Sequence, residues 1–183
     1  IRIGLRKPDL LRVQFRALLR AAAAGPLKIM LPMVTLPEEM AQARAIMQAV
    51  ADELKAEGQD FALPPLGMMV EVPAAALAAA EFDADFYSIG TNDLIQYATA
   101  CARDNEAVAP LARSDHPGVL SLIRATLEAG RSRGVEVSLC GDMASQPKDL
   151  PLLLQAGLRV VSVAPAAVPA VKAAIAGYDG PLS

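Results

Sequence analysis

Acidic, amide and thiol side chains follow the ends of short apolar runs in this sequence, where they could do chemistry. Glu71 follows "LGMMV", Asn92 and Asp93 follow "FYSIGT", and Cys140 follows "VEVSL". The runs have the length of strands, and the carboxyl ends of parallel strands meet at one edge of a sheet. The sequence therefore predicts that these side chains, far apart in the chain, converge on one site.

The two carboxylates suit a divalent cation. If Glu71 and Asp93 end neighbouring strands, their oxygens could share one ion, and two carboxylates completed by substrate oxygens and water are a set that Mg²⁺ accepts. The alternative is that both residues cap helices or pair with an arginine. For Glu71 the capping alternative is weaker, because Glu is a poor cap and Pro73 follows with a run of alanines.

An arginine and a thiol add two further candidates. Arg103, in "ARDNE", suits bidentate capture of a carboxylate or phosphate, or is a solvated surface residue. Cys140 is a candidate proton donor at a strand end, or a small buried apolar side chain. Cys101 has no such placement and is expected to pack in the core. His116, the single histidine, is expected to begin a helix and not to take part in catalysis.

Composition limits the classes of function. The 183 residues are 54% hydrophobic and carry a net charge of −3, so the chain can bury a core and has no electrostatic case for nucleic acid or an anionic membrane. No apolar run reaches the roughly 18 residues of a membrane span. The two cysteines form no CxxC, which indicates neither a disulfide framework nor a zinc site and favours a reducing cytoplasm.

Short apolar runs alternate with helical segments along the chain. The predicted strands lie in "LKIMLPMV", "LGMMVEV", "DFYSIG", "VEVSLCG" and "VVSVAP". Strands without polar alternation are covered on both faces, which indicates an α/β fold with a parallel sheet. A closed (β/α)8 TIM barrel needs eight strands and about 250 residues. We therefore expect residues 1–183 to form one partial barrel domain, the C-terminal portion with about five of eight βα units. The alternative is a complete open α/β sheet.

Several motifs occur in an order that resembles one known family. They are "GMMVEVPAA", "SIGTNDLIQY" followed by "RDN", "SLCGDMA", and the closing "AGLRVVSVAPAAVPAVKAAI", so that the likeness covers nearly the whole chain. The chain resembles the C-terminal barrel that binds phosphoenolpyruvate (PEP) in the PEP-utilising enzymes. Within that family it is similar to Enzyme I of the bacterial sugar phosphotransferase system, a PEP–protein phosphotransferase.

The resemblance implies a role for each candidate residue. Glu71 and Asp93 match the family's two Mg²⁺ ligands. Asn92 and Arg103 match residues that hold the phosphoryl group of PEP, and Asp93 belongs to the same substrate-binding set. Cys140 matches the cysteine that protonates C3 of enolpyruvate as pyruvate forms.

The resemblance also implies partners. In this family the PEP phosphoryl group passes to a histidine on a separate domain, then to an HPr-like phosphocarrier, within a cytoplasmic homodimer. The phosphohistidine domain, the first barrel strands and further PEP-binding arginines precede the segment that this chain matches. His116 does not match the phosphohistidine motif. We therefore expect the 183 residues to hold part of an active site and to be inactive alone.

The sequence departs from the family pattern at two places, and three alternative functions stay open. The family has Gly-Glu after the cysteine where this chain has Gly141-Asp142, and Ser-x-Ser where it has "SVAPAA", which leaves local pocket detail open. One alternative is the related barrel of pyruvate phosphate dikinase or PEP synthase. Another is a metal-dependent pyruvate aldolase or lyase without phosphoryl transfer. The third is a non-catalytic, PEP-sensing dimerisation module.

Overall fold

A computed structural model describes residues 1–102 and 104–181 of the chain. Its sheet has five parallel strands in the described residues, in the order β1-β2-β3-β4-β5. The strands are β1 (Ile29–Leu31), β2 (Leu66–Val70), β3 (Phe86–Gly90), β4 (Glu136–Cys140) and β5 (Val160–Val161). The α-helices are α1 (Arg2–Arg6), α2 (Pro8–Ala22), α3 (Pro37–Ala56), α4 (Pro73–Leu77), α5 (Thr91–Thr99), α6 (Pro117–Arg133), α7 (Asp142–Ser145), α8 (Leu150–Gln155) and α9 (Val168–Ala176).

The strand order identifies the architecture. Doubly wound open sheets reverse their strand order at a switch point, whereas consecutive βα units of a barrel keep chain order. The sequential order found here is that of consecutive (β/α)8 units, and β1 and β5 each pair with one neighbour in the described part of the chain. The expected parallel α/β fold with five βα units is confirmed.

Local sequence signals set the helix boundaries. Proline begins α2, α3, α4 and α6, at a position where its missing N–H would have no helical partner. His116 is the N-cap of α6, and its Nδ1 accepts a 3.0 Å hydrogen bond from the Gly118 N–H. Gly134 ends the helix in the left-handed conformation (φ 68°). His116 therefore begins a helix, as the sequence indicated.

The two faces of the sheet carry different side chains. On the face covered by helices, Met68, Tyr87 and Leu139 are fully buried, and Tyr87 Oη donates a 2.7 Å hydrogen bond to the carbonyl of Ala79. Because side chains alternate along a strand, Ser88 points to the other side, which we call the inner face. The inner face also carries Phe86, Gly90, Ser138 and Cys140, by the same alternation and the strand register.

Some sequence-based boundaries were too long. "VVSVAP" suggested a full strand, but β5 has two residues, and Val163 beyond it is outside the ladder. The segment "PKDLPLLLQAG" forms a helix only over α8, because Pro147 and Asp149 precede its first turn. No helix in the described residues has both the length and the apolar character required to cross a membrane.

Candidate active site

Glu71 follows β2 directly and is almost fully buried, with 3% of its surface exposed. Its Oε1 accepts a 2.6 Å hydrogen bond from the backbone N–H of Met33. Met33 lies after β1 in the left-handed conformation (φ 54°), which is uncommon for a residue with a side chain and often occurs at functional sites. One oxygen of the carboxylate is therefore fixed by the backbone of the neighbouring βα unit.

Asp93, in the first turn of α5, lies beside Glu71. It is close enough to act on the pKa of Glu71, through its charge and through side-chain hydrogen bonding. Burial raises the pKa of Glu71, the neighbouring Asp93 raises it further, and the Met33 N–H lowers it. A cation bound beside Glu71 would offset both the burial of its charge and the repulsion from Asp93.

A divalent cation fits this donor set. No group of three or more His, Cys, Asp or Glu side chains that could hold a metal occurs in the described residues. The Glu71–Asp93 pair thus offers carboxylate oxygens only, and water or substrate oxygens would supply the other ligands. Mg²⁺ is usually bound in this way, by one or two carboxylates together with water and substrate phosphate.

Gly90, the last residue of β3, leaves room for the Glu71 carboxylate. A Cβ atom at this position would lie 2.9 Å from Met69 Sδ and 3.0 Å from Glu71 Oε2. Both distances are shorter than ordinary carbon contacts, so any larger residue would push against the carboxylate. The glycine in "SIGTND" therefore has a steric role beside the acidic pair.

The turns after β3 and β4 are tied together by two hydrogen bonds. Thr91 Oγ1 donates to the carbonyl of Cys140 at 2.9 Å, and Asn92 Oδ1 accepts from the backbone N–H of Asp142 at 2.9 Å. Gly141 adopts φ 96°, and a Cβ there would lie 2.5 Å from Thr91 Oγ1. These contacts place Asn92 next to the segment that carries the thiol.

Cys140 is the last residue of β4 and is partly exposed. It pairs with Gly90 in the strand register, and its Sγ accepts a hydrogen bond from the Ser88 hydroxyl at 3.7 Å. Cys101, in contrast, is buried with 2% exposure, as expected of a packing residue. The thiol thus lies on the inner face, one strand away from the acidic pair.

A cavity of about 480 Å³ opens next to these strand ends. Asn92, Asp142, Lys148 and Asp149 contribute polar atoms to its lining. The buried Asp149 accepts a 3.0 Å hydrogen bond from the Ser114 hydroxyl, which fastens the segment after α5 to the start of α8. The cavity provides space for a small polar molecule beside Asn92.

The structure brings most of the candidates together. Glu71, Asn92, Asp93 and Cys140 all lie at the carboxyl ends of β2, β3 and β4, as the sequence predicted. Arg103 lies outside the described residues. Sequence reasoning missed further residues that support the site, namely Met33, Ser88, Gly90, Thr91 and Gly141. Only the glycines and Thr91, which adjoin the motif residues, had a signal in the sequence.

Comparison with known proteins identifies the family of this chain. The sequence profile of the family described as "PEP-utilising enzyme, PEP-binding domain" matches residues 1–179. A PEP–protein phosphotransferase of Haloferax volcanii is 46% identical over 176 residues, which are 93% of this chain and 31% of that protein. Those of Geobacillus stearothermophilus (46% identical, 86% of this chain and 28% of that protein) and Mycoplasma pneumoniae (44%, 89% and 28%) are similar.

The fold also has a solved counterpart. A citrate lyase from Burkholderia xenovorans superposes with a TM-score of 0.67, covering 92% of this chain and 54% of that one, at 24% sequence identity. This likeness concerns the fold alone. The chain spans about 30% of the length of the phosphotransferases that it matches. By the match over nearly its whole length, the chain belongs to the family of PEP-binding domains of the PEP-utilising enzymes.

Proposed function

We propose that this chain is the PEP-binding catalytic part of a Mg²⁺-dependent PEP–protein phosphotransferase. The observation that carries the proposal is the buried Glu71 carboxylate, held by the Met33 N–H at the strand edge where Asp93 and Cys140 also lie. The relatives' names and the family match support the substrate class. They favour this function over that of a dikinase, an aldolase or a sensing module.

Glu71 and Asp93 would hold the Mg²⁺ ion. When bound, the ion would neutralise negative charge on PEP and supply Lewis-acid stabilisation for the enolate oxygen. Phosphoryl transfer depends mainly on positioning and charge neutralisation, so the chain's own contribution is to fix these groups before the substrate arrives. The Met33 N–H serves that end, because it holds Glu71 Oε1 in one position.

Asn92 and Arg103 would bind the phosphoryl group. The Asn92 oxygen is already engaged by the Asp142 N–H, which leaves the amide nitrogen to donate to a phosphate oxygen. Arg103 is assigned to the same group through the resemblance of "RDN" to the family motif. A fixed guanidinium would stabilise the charge that develops on the transferring group.

Cys140 would protonate the enolate that remains after transfer. The S–H bond breaks, a C3–H bond forms with the electrons of the C2=C3 double bond, and the enolate oxygen becomes the carbonyl oxygen of pyruvate. The S–H electron pair stays on sulfur. A thiol at the inner face, one strand from the acidic pair, is suitably placed for a donor to one face of the enolate.

The rest of the pathway extends beyond this chain. We propose that the phosphoryl group passes to a histidine on a separate domain and then to an HPr-like phosphocarrier for sugar transport. We further propose that the whole protein is a cytoplasmic homodimer. Incubation of the whole protein with PEP and Mg²⁺ should produce phosphohistidine and pyruvate. The formation of neither product would favour a lyase instead, because a lyase that acts on a pyruvate enolate does not transfer the phosphoryl group of PEP.

The metal site can be tested on the chain itself by Mn²⁺ binding, measured by EPR with oxalate as an enolpyruvate mimic. Glu71→Gln should lose oxalate-dependent binding. Glu136→Gln is the matched control, because Glu136 begins β4 at the opposite end of the sheet and pairs with Lys28 at 2.8 Å. Equal binding by all three proteins would place the metal elsewhere and contradict the proposal.

A further inference from the structure

We infer that Ser88 is a positioning residue for the proton transfer by Cys140, an inference that rests on the proposed function. Ser88 lies in the middle of β3, and Cys140 ends β4. Its hydroxyl donates a hydrogen bond to Cys140 Sγ across the two strands, at a distance of 3.7 Å. A donor aimed at sulfur is suited to the charge that the proton transfer creates.

The strand register explains why the two side chains meet. Ser88 pairs with Ser138, and Gly90 pairs with Cys140, so Ser88 and Cys140 are diagonal neighbours on the inner face. Gly90 has no side chain to stand between them. The approach of the hydroxyl to sulfur therefore follows from three positions on two adjacent strands.

The burial of Ser88 indicates that its hydroxyl group has a role at this position. Ser88 is 5% exposed, and all five residues of β3 are buried. A hydroxyl in such surroundings costs free energy unless it has a hydrogen-bond partner, whereas an alanine of nearly equal size would cost nothing. The hydrogen bond to Cys140 Sγ is the partner that the structure gives to this hydroxyl.

Ser138, which pairs with Ser88 in the strand register, has a different kind of hydrogen-bond partner. Its hydroxyl donates at 3.4 Å to the backbone carbonyl of Tyr87 and not to a side chain of the site. Such a bond stabilises the sheet and has no connection to sulfur. The two serines thus share a register position and differ in what they bind, which makes Ser138 a matched control.

The proposed effect concerns the sulfur after proton transfer. When the S–H bond breaks and the C3–H bond forms, the electron pair remains on sulfur. The Ser88 O–H bond stays intact, and its hydrogen bond to sulfur strengthens as the negative charge develops. Ser88 also restricts the direction of the Cys140 side chain before transfer. Ser88 is buried and is bonded to Cys140 Sγ, so its proposed effect acts through the thiol.

Alkylation of Cys140 by iodoacetamide tests the effect of Ser88 on the thiol and does not require enzymatic activity. The rate is followed by mass spectrometry on the full chain, which separates Cys140 from the buried Cys101. Because the thiolate is the species that reacts, loss of the hydroxyl in Ser88→Ala should slow alkylation about tenfold, whereas Ser138→Ala should react like the wild type. Melting temperatures check that each variant is folded. If Ser88→Ala does not fold, Ser88→Thr replaces it. Because Ser88→Thr keeps a hydroxyl group, its Cys140 should be alkylated at the wild-type rate.

Kinetics of the whole phosphotransferase give the second readout. Ser88→Ala should lower kcat for pyruvate formation and leave the KM for PEP unchanged. Three results would overturn the role of Ser88. They are an unchanged alkylation rate in Ser88→Ala, a decrease of the same size in Ser138→Ala, and a slower rate in Ser88→Thr. Full pyruvate formation by Cys140→Ala would instead overturn the proposed proton donor. The two failures are therefore distinguishable.

Discussion

Asn92 Oδ1 accepts a 2.9 Å hydrogen bond from the backbone N–H of Asp142. This bond joins the turn after β3 to the turn after β4, and so connects the residues proposed to bind phosphate with the strand that carries Cys140. It also fixes which end of the amide is engaged. The nitrogen end remains to donate, and Asn92 contributes to the lining of the neighbouring cavity. A neutral donor in this place can bind a phosphate oxygen.

Asn92→Asp should separate the structural role of this side chain from its binding role. The carboxylate can still accept from the Asp142 N–H, so the melting temperature should change little. The amide donor is lost and a negative charge is added near Asp93, so the dissociation constant for PEP with Mn²⁺ should rise about tenfold or more. Isothermal titration calorimetry measures this constant. Equal PEP affinity in Asn92→Asp and the wild type would contradict the phosphate role.

Gly141→Ala should destabilise the connection between the same two turns. The backbone has φ 96° and ψ −178°, a conformation essentially restricted to glycine. The new Cβ would lie 2.5 Å from Thr91 Oγ1 and 2.9 Å from Asn92 Oδ1. We expect a loss of about 3 kcal/mol in the free energy of unfolding, measured by urea denaturation.

Gly134→Ala is the control for backbone strain. Gly134 likewise has a positive φ (68°), in the left-handed helical conformation, but nothing lies within 4 Å of its added Cβ. This variant should therefore lose only about 1 kcal/mol, the cost of the left-handed conformation alone. Equal losses in the two variants would show that the contacts with Thr91 and Asn92 contribute nothing.

The sequence predicted the strand-end residues because their position depends on a general property of parallel sheets. Apolar runs marked the strands. Glu71 and Cys140 follow such runs directly, and Asp93 follows after Thr91 and Asn92. The support for these residues was not predictable in the same way. Met33 acts through its backbone N–H, and no side-chain pattern shows a left-handed residue after β1.

Cross-strand contacts were the second limit. The Ser88–Cys140 hydrogen bond depends on the register between β3 and β4, which places residues 52 positions apart side by side. A shift by one residue would turn Ser88 toward the helices. The apolar pattern predicted both strands but could not predict the register between them. The role of Arg103, outside the described residues, stays a prediction.

Gly90→Ala should weaken the metal site while leaving the fold intact. The added methyl carbon would lie 2.9 Å from Met69 Sδ and 3.0 Å from Glu71 Oε2, both shorter than ordinary contacts, so the Met69 side chain must shift and the carboxylate must turn away from Asp93. We expect a loss of about tenfold or more in Mn²⁺ affinity, measured by EPR titration.

Gly25→Ala is the control for the general effect of replacing a glycine. Gly25 lies between α2 and β1, and nothing is within 4 Å of its added Cβ. This variant should bind Mn²⁺ like the wild type. If Gly90→Ala also binds normally, the space beside Glu71 is not required for the metal site.

Glu71 should also make the stability of the metal-free chain depend on pH. Burial raises the pKa of Glu71 in the folded state. The Met33 N–H opposes this rise and the neighbouring Asp93 adds to it, so that folding favours the protonated form of Glu71. This stabilisation is fully present below the unfolded pKa of about 4.3 and is lost as the pH rises through the higher folded value.

The Glu71→Gln variant has no ionisable group at this position. The free energy of unfolding of the wild type, measured with urea in the presence of a chelator, should therefore fall relative to that of Glu71→Gln between pH 4 and pH 8. Glu57 and Asp115, whose pKa values are lowered by Arg16 and Arg113, act in the opposite direction but are common to both proteins, so their contributions cancel in the difference. A difference that does not change with pH would mean that Glu71 ionises as easily in the folded chain as in the unfolded one.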